Sequence, residues 1–400
     1  MNTLSPIEQA SIQYKEWLGK HTFVVEGDLE HKYRKMRSDP AGFIFFRGTF
    51  YRWAKLWEKK RKELRDKGLL IGGAPEIFSI GDLHIENFGT WRDGEGRLIW
   101  GVNDVDEAYW MRYQNDLVRL ATSVLFAIDP HHAPANWKLS PEEFCRLILE
   151  GYQEGLQKGG KPFILERHHP WLWKIATHPS RTPEQFASAL EQKIKLVKHS
   201  MPEDILDRAT RALDELAPKK TKGSELYRRR AGVGSLGRPR LLRFFSGTCG
   251  IVLRETKAVI PSACVFLGQG KAIRNAYGKI LDSAVRVQDP IFGVFGRWVV
   301  RRLAFDSSRV EVESLKTLQE ASGFFHAMGF EIANLHLSDP EASAILPHLR
   351  KQNRKNPHWL LKAAGEMYKL TKSDFADYLE TGFGHETEET AKPAPRKKKK

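Results

Sequence analysis

An apolar run, Glu76-Ile77-Phe78-Ser79-Ile80, ends in Gly81-Asp82-Leu83-His84-Ile85-Glu86-Asn87. A second, Leu98-Ile99-Trp100, ends in Gly101-Val102-Asn103-Asp104-Val105-Asp106. This repetition constrains the fold more than any other part of the chain. Each run reads as a buried strand that stops at a glycine and hands acidic and amide side chains to a loop. Asp93-Gly94-Glu95-Gly96 lies between them as a turn. Residues 88–102 therefore read as a β-hairpin whose return strand brings Asp104 to the side of Asn87. Asp and Asn also cap ordinary turns, but an apolar strand before each cluster and a glycine beside Asp82 favour a site.

The spacing points to phosphoryl transfer. Asp82 precedes Asn87 by five residues, so both side chains can face one phosphate-sized pocket. Asp82 is the candidate base that takes the proton of an acceptor hydroxyl. Asn87 and Asp104 are candidate ligands for Mg2+ on nucleotide phosphates. Asp106 and Glu107 add carboxylates for a second metal. His84, inside the loop, either stabilises it or contacts substrate, and reads equally well as structural. The adjacent pairs His131-His132 and His168-His169 diverge on any regular element, a poor geometry for one zinc ion. There is no Gly-x-Ser-x-Gly elbow and no His-Glu-x-x-His.

A second constellation begins after Arg228-Arg229-Arg230. Gly232, Gly234, Ser235 and Gly237 form a glycine-rich turn that by itself also fits a dinucleotide-binding motif. The residues after it separate the two: Pro239 and Leu241-Leu242-Arg243-Phe244-Phe245 open a strand, where a dinucleotide turn opens a helix. A glycine turn between strands is a phosphate clamp built from backbone N–H groups. Lys257 follows Gly237 by twenty residues, where a third strand would deliver a lysine to the phosphates, with Arg254 as its rival. Residues 271–287 read as one helix whose only acid is Asp282. Either Asp282 or Glu255 pairs with Lys257, or that ion pair is absent.

The rest of the chain frames these clusters. Residues 1–37 read as polar and helical, residues 49–67 as a helix with Phe50, Trp53, Ala54 and Trp57 on one face, and residues 117–126 as a helix capped by Asp116. Residues 141–217 read as amphipathic helices, residues 218–223 as a basic linker, and residues 315–337 as a long helix. Trp53, Trp57, Trp171 and Trp173 are expected in the core. No apolar run is long enough to span a membrane, and the first seventeen residues lack the apolar stretch of a signal peptide. Three widely spaced cysteines give no disulfide framework. The expectation is a reduced, cytoplasmic protein of bacterial type. Its net charge is +15, of which Lys392, Arg396 and the lysines at 397–400 carry six. A basic body suits anionic ligands, and the basic tail suits weak, nonspecific contact with nucleic acid or an anionic surface.

Residues 81–121 resemble the catalytic core of aminoglycoside and choline kinases, whose loop reads His-Gly-Asp-Leu-His-x-x-Asn with a following Ile-Asp and a later Asp-Leu-Ala. Asp82, His84 and Asn87 match the loop, Asp104 the metal aspartate, and Asp116-Leu117 the later pair. The chain departs from that pattern at Ile80, where those kinases have their first histidine, and in a longer hairpin before Asp104. Over residues 40–340 it more closely resembles a bacterial family known as domain of unknown function 2252. The shared landmarks are Phe45-Phe46-Arg47-Gly48, the loop at 81–89, Asn103 to Glu107, Asp116 to Ala121, the glycine turn, Arg254 to Ala258 with Pro261-Ser262-Ala263, and Ile332-Ala333-Asn334-Leu335-His336. That resemblance implies no substrate.

Together the two resemblances imply an α+β, protein-kinase-like, two-lobed fold in circularly permuted order. A helical extension (1–37) would precede the helical catalytic lobe (38–222). A β-rich, glycine-loop nucleotide lobe (223–313), C-terminal helices completing the catalytic lobe (314–384) and a disordered basic tail (385–400) would follow. The implied function is an ATP- and Mg2+-dependent phosphotransferase acting on a hydroxyl of a small molecule. Two alternatives stay open: a kinase-like nucleotidyltransferase acting on protein, and a non-catalytic protein that binds nucleotide or nucleic acid.

Overall fold

Ser5 and Pro6 set the first helix of the computed structural model. The Ser5 hydroxyl accepts from Glu8 N, and Pro6 takes the first-turn position that needs no N–H. The structure describes residues 4–385 except 129–138, 178–182, 198–200, 249, 305–306, 308–309 and 311–313. His131-His132 and the basic tail beyond 385 lie outside the described residues. The N-terminal stretch expected to be helical forms α1 (Pro6–His21) and α2 (Glu26–Ser38). The apolar knot is a helix of its own, α3 (Phe43–Gly48), followed by α4 (Phe50–Asp66).

Strand β1 (Glu76–Ser79) leads into the acidic loop. β2 (Phe88–Arg92) and β3 (Leu98–Val102) form the hairpin, with Phe88 opposite Val102. Asp93 closes its turn by accepting from Glu95 N at 3.0 Å and Arg97 N at 2.8 Å. β4 (Tyr109–Arg112) returns antiparallel to β1 and runs into α5 (Gln114–Ala127). Asp116 lies within the first turn of α5 and is not its N-cap, because its carboxylate is turned back onto the end of β1.

α6 (Pro141–Lys158) opens with a capping box between Ser140 and Glu143. The stretch to residue 217 is less helical than expected. It holds β5 (Phe163–Ile164) on β3, the short helices α7 (Leu165–His168), α8 (Pro170–Ala176) and α9 (Pro183–Glu191), then β6 (Ile194–Leu196) and α10 (Glu203–Asp214). The two short strands pair with segments distant in the chain, which the helical pattern alone does not register. Trp53 and Trp57 are buried and Trp171 is half-buried, but Trp173 is 41% exposed and outside the core.

The second half is an antiparallel sheet in the order β11-β12-β10-β9-β8-β6, with β7 on β9. Its strands are β7 (Thr221–Gly223), β8 (Tyr227–Arg229), β9 (Arg240–Gly247), β10 (Gly250–Ala258), β11 (Phe292–Phe295) and β12 (Trp298–Leu303). The expected basic linker thus contributes a strand, since its backbone finds the free edge beside Phe245 and Ser246. Helix α11 (Ala263–Phe266) follows β10, and the expected helix at 271–287 shrinks to α12 (Ala276–Ser283), where Asn275 adopts φ +51° and caps Gly278 N. One sheet face is apolar, with Leu241, Phe245, Ala258 and Val300 under Ala209 and Leu213 of α10. Strand alternation puts Arg240, Glu255, Lys257 and Arg301 on the other.

α13 (Leu318–His336) crosses α6 so closely that a Cβ at Gly151 would strike the His326 carbonyl, and one at Gly329 the Ile148 carbonyl. α14 (Ile345–Lys355) and α15 (Trp359–Leu379) close the helical half, α15 against α4 and α5. No helix among the described residues is long and apolar enough to cross a membrane.

Candidate active site

Gly81 turns the chain out of β1 at φ +89°, where a Cβ would lie 2.5 Å from the Glu107 carbonyl oxygen. The turn is held from α5. Asp116 accepts from Ile80 N at 2.7 Å and from Gly81 N at 2.9 Å. His336 of α13 donates from Nε2 to Asp116 at 2.9 Å and accepts at Nδ1 from the Tyr152 hydroxyl at 2.7 Å. All three side chains are sealed from solvent. This brace holds the loop.

Asp82 follows with 18% of its side chain exposed. Its Oδ1 accepts from Arg119 Nε at 3.1 Å and Nη2 at 2.6 Å. Arg119 is fully buried, its guanidinium carbon 3.4 Å from the Phe46 ring centre and 4.8 Å from that of Trp53. Burial raises the Asp82 carboxyl above its ordinary range, against the opposing pull of Arg119. Burial brings Arg119 down to about 10, so it stays cationic at neutral pH. His84 caps the next turn, its Nδ1 accepting from Glu86 N at 3.2 Å. Arg47 Nε lies 3.3 Å from the other ring nitrogen, Nε2.

Asn87 ties the two acidic loops together. Its Nδ2 donates to the carbonyls of Asp82 at 3.0 Å and Asp104 at 3.3 Å, which leaves Oδ1 as its acceptor. Lys257 Nζ lies 2.6 Å from Asp106 Oδ2 and 3.3 Å from Asp104 Oδ1. Desolvation in the cavity would raise the Asp104 carboxyl, but Lys257, Arg301 and Arg240 hold it below its ordinary range. Glu107 goes the other way: burial lifts it to about 7, although Arg238 Nη2 stands 3.2 Å away and Ala263 N donates to it at 2.6 Å.

The sheet brings the second constellation to the same place. Gly232 and Gly237 have φ of +71° and +98°, and Val233–Ser235 between them is a 3-10 turn. A Cβ at Gly234 would lie 3.5 Å from both Asp82 Oδ2 and the Arg47 carbonyl oxygen, so the glycine turn reaches the acidic loop. Ser235 Oγ accepts from Arg240 Nη2 at 2.8 Å. Arg254 stands apart: its Nε donates to the Leu216 carbonyl on the sheet face covered by α10. The acids of Lys257 are Asp104 and Asp106. Glu255 is taken by Arg229, Arg240 and Arg301, which hold it well below the usual carboxylate range despite its burial, and Asp282 is exposed on α12.

Asp82, Asn87, Asp104, Asp106, Glu107 and the turn at Gly232–Ser235 line one cavity of about 810 Å³, whose walls also include Lys32, Arg47, Arg238, Arg286 and Arg301. Lys32 carries no motif. Arg119 lies inside the Asp116–Ala121 landmark and Arg238 directly after Gly237, but neither had been given a role. A divalent cation fits the donor set. Asp106 Oδ1 is buried without a hydrogen-bond partner, Asp104 is 39% exposed beside it, and Asn87 has an amide oxygen to offer. Among the described residues no three His, Cys, Asp or Glu side chains converge as a metal cage. Two carboxylates, an amide and ligand oxygens match the habit of Mg2+.

Residues 25–217, a little under half of the chain, match the model of a family described as an uncharacterized protein conserved in bacteria (DUF2252). That stretch holds the acidic loops and α5, and the glycine turn, Lys257 and His336 lie beyond it. No curated protein and no solved structure matches the chain.

Proposed function

We propose that this chain is an ATP- and Mg2+-dependent phosphotransferase of kinase-like, circularly permuted architecture that phosphorylates a hydroxyl of a small molecule. One observation carries the reading. Asp82, Asn87, Asp104 and Asp106, from loops in the first third of the chain, share a cavity with a glycine turn more than 120 residues later, and Lys257 of the following sheet pairs with Asp104 and Asp106. In support of the permuted order, the glycine turn joins β8 to β9, Lys257 lies on the next strand, and α12 precedes β11 and β12.

Each residue has a role under this reading. Asp82 orients the acceptor hydroxyl and takes its proton, a contribution of roughly 10²–10⁴ in rate. Arg119 fixes the carboxylate and leaves Oδ2 toward the glycine turn. Asn87, Asp104 and Asp106 would hold Mg2+, which when bound offsets phosphate charge. Lys257 and the backbone N–H groups of the glycine turn would bind phosphate oxygens, and the further arginines balance a polyanion.

A thermal-shift titration with ATP, with and without Mg2+, tests the reading. Wild type should melt higher only with both present, by mass action, and Asp104→Ala should lose the shift. No shift with any nucleotide would overturn it. Product analysis then separates phosphoryl transfer, which releases ADP, from nucleotidyl transfer, which releases pyrophosphate.

A further inference from the structure

Lys32 of α2 is 3% exposed, yet it lines the cavity between the glycine turn and the acidic loop. Its Nζ has one long contact, 3.5 Å to the Gly234 carbonyl oxygen, and forms no ion pair among the described residues. Gly234 is the residue whose missing Cβ faces Asp82 Oδ2. The ammonium therefore sits where the end of a nucleotide held by the glycine turn would meet an acceptor hydroxyl on Asp82.

The surroundings are built to put it there. A Cβ at Gly48 would strike Met36 Sδ and come 3.3 Å from Lys32 Cε, so the glycine of Phe45-Phe46-Arg47-Gly48 clears the path of this side chain. Helix α2 is fastened to both ends of the glycine turn: Val25 N donates to the Gly237 carbonyl at 2.8 Å, and Asp28 Oδ1 accepts from Arg230 Nε at 2.6 Å. A buried ammonium without a carboxylate is costly, and a phosphoryl oxygen would relieve it. Burial and Arg238 bring Lys32 down to about 8, with Asp82 and Glu107 opposing, so it is still mostly protonated at neutral pH.

We propose that Lys32 is a ligand of the terminal phosphoryl group, a cation supplied by the N-terminal helices to the group in transit between the nucleotide and the acceptor hydroxyl held by Asp82. This rests on the phosphotransferase reading. The bond between the terminal phosphorus and the bridging oxygen breaks, and the electron pair leaves with ADP. The bond from the acceptor oxygen to phosphorus forms, and the acceptor proton passes to Asp82. Lys32 keeps its protons and balances charge on the equatorial oxygens.

Calorimetric titration of wild type, Lys32→Met and Lys32→Arg with Mg·ATP and Mg·ADP tests this. Lys32→Met should lose roughly 10- to 100-fold in ATP affinity with ADP affinity within about twofold, and Lys32→Arg should recover part of the loss. A merely structural lysine would weaken both nucleotides alike. As a readout independent of folding, wild type is treated with an acyl-phosphate derivative of ATP. An amine beside the terminal phosphate attacks the acyl carbon, forms an amide and releases ATP. Peptide mass spectrometry should find the label on Lys32, suppressed by excess ATP. An unchanged ATP-to-ADP preference in Lys32→Met, or a label on Lys257 without Lys32, overturns the proposal and leaves the phosphotransferase reading standing. Wild type that binds neither nucleotide overturns both.

Discussion

Under the proposed reading Asp82 has two partners to satisfy, an acceptor hydroxyl and the buried Arg119. Removing the carboxylate with alanine would strand a buried guanidinium, which costs about 3–5 kcal/mol, so loss of turnover in Asp82→Ala would mix chemistry with folding. Asp82→Asn keeps an oxygen for Arg119 and removes the base. It should fold, bind Mg·ATP within about threefold of wild type, and lose roughly 10²–10⁴ in turnover. Steady-state rates beside a nucleotide titration check this, and a variant as fast as wild type would remove Asp82 from the role of base. The aspartate was legible because a strand and a glycine frame it. Arg119 was not, because its meaning depends on a contact across 37 residues with Asp82 and on the rings of Phe46 and Trp53. Lys257 was legible as a residue but not in its partners, since nothing local says that Asp104 and Asp106 lie opposite it.

Elements were legible where periodicity and ends agree. α4, the 88–102 hairpin and α13 follow their patterns within a few residues. Short strands such as β5, β6 and β7 exist only because a neighbouring strand offers its edge, so no local pattern announces them. Asp116 looked like a cap because Asp favours caps, but its pull on Ile80 N and Gly81 N comes from tertiary structure. Glycines inside helices hide their purpose in the same way. A Cβ at Gly365 of α15 would meet nothing within 4 Å, whereas one at Gly329 of α13 would meet the Ile148 carbonyl of α6. Gly365→Ala should stabilise by about 0.5–1 kcal/mol, and Gly329→Ala should destabilise by more than about 2 kcal/mol. Urea unfolding of the pair measures both, and equal effects would mean the α6–α13 crossing has slack.

At the scale of the whole molecule, the two ends of the described chain meet. Arg37 of α2 donates to the carbonyls of Tyr378, Leu379, Thr381 and Phe383, and Ile7 shares a core cluster with Phe375 and Tyr378. A permutant that joins residue 384 to residue 5 through a short glycine–serine linker and opens the exposed turn between Lys219 and Lys220 should therefore fold. Its melting temperature should lie within a few degrees of wild type, with the Mg·ATP shift retained. A permutant that fails to fold cooperatively would show that the present chain order is itself required. The sequence carried the two constellations but not the seam between them. Lys257 and Arg238 belong to the sheet side, Asp104, Asp106 and Glu107 to the helical side, and their ion pairs close the molecule across its own cavity. Under the proposed reading, a polyanion bound there would recruit the same cations and so loosen this seam. Binding and loosening are then one equilibrium with two readouts, and the strength of the latch is subtracted from the affinity of whatever opens it.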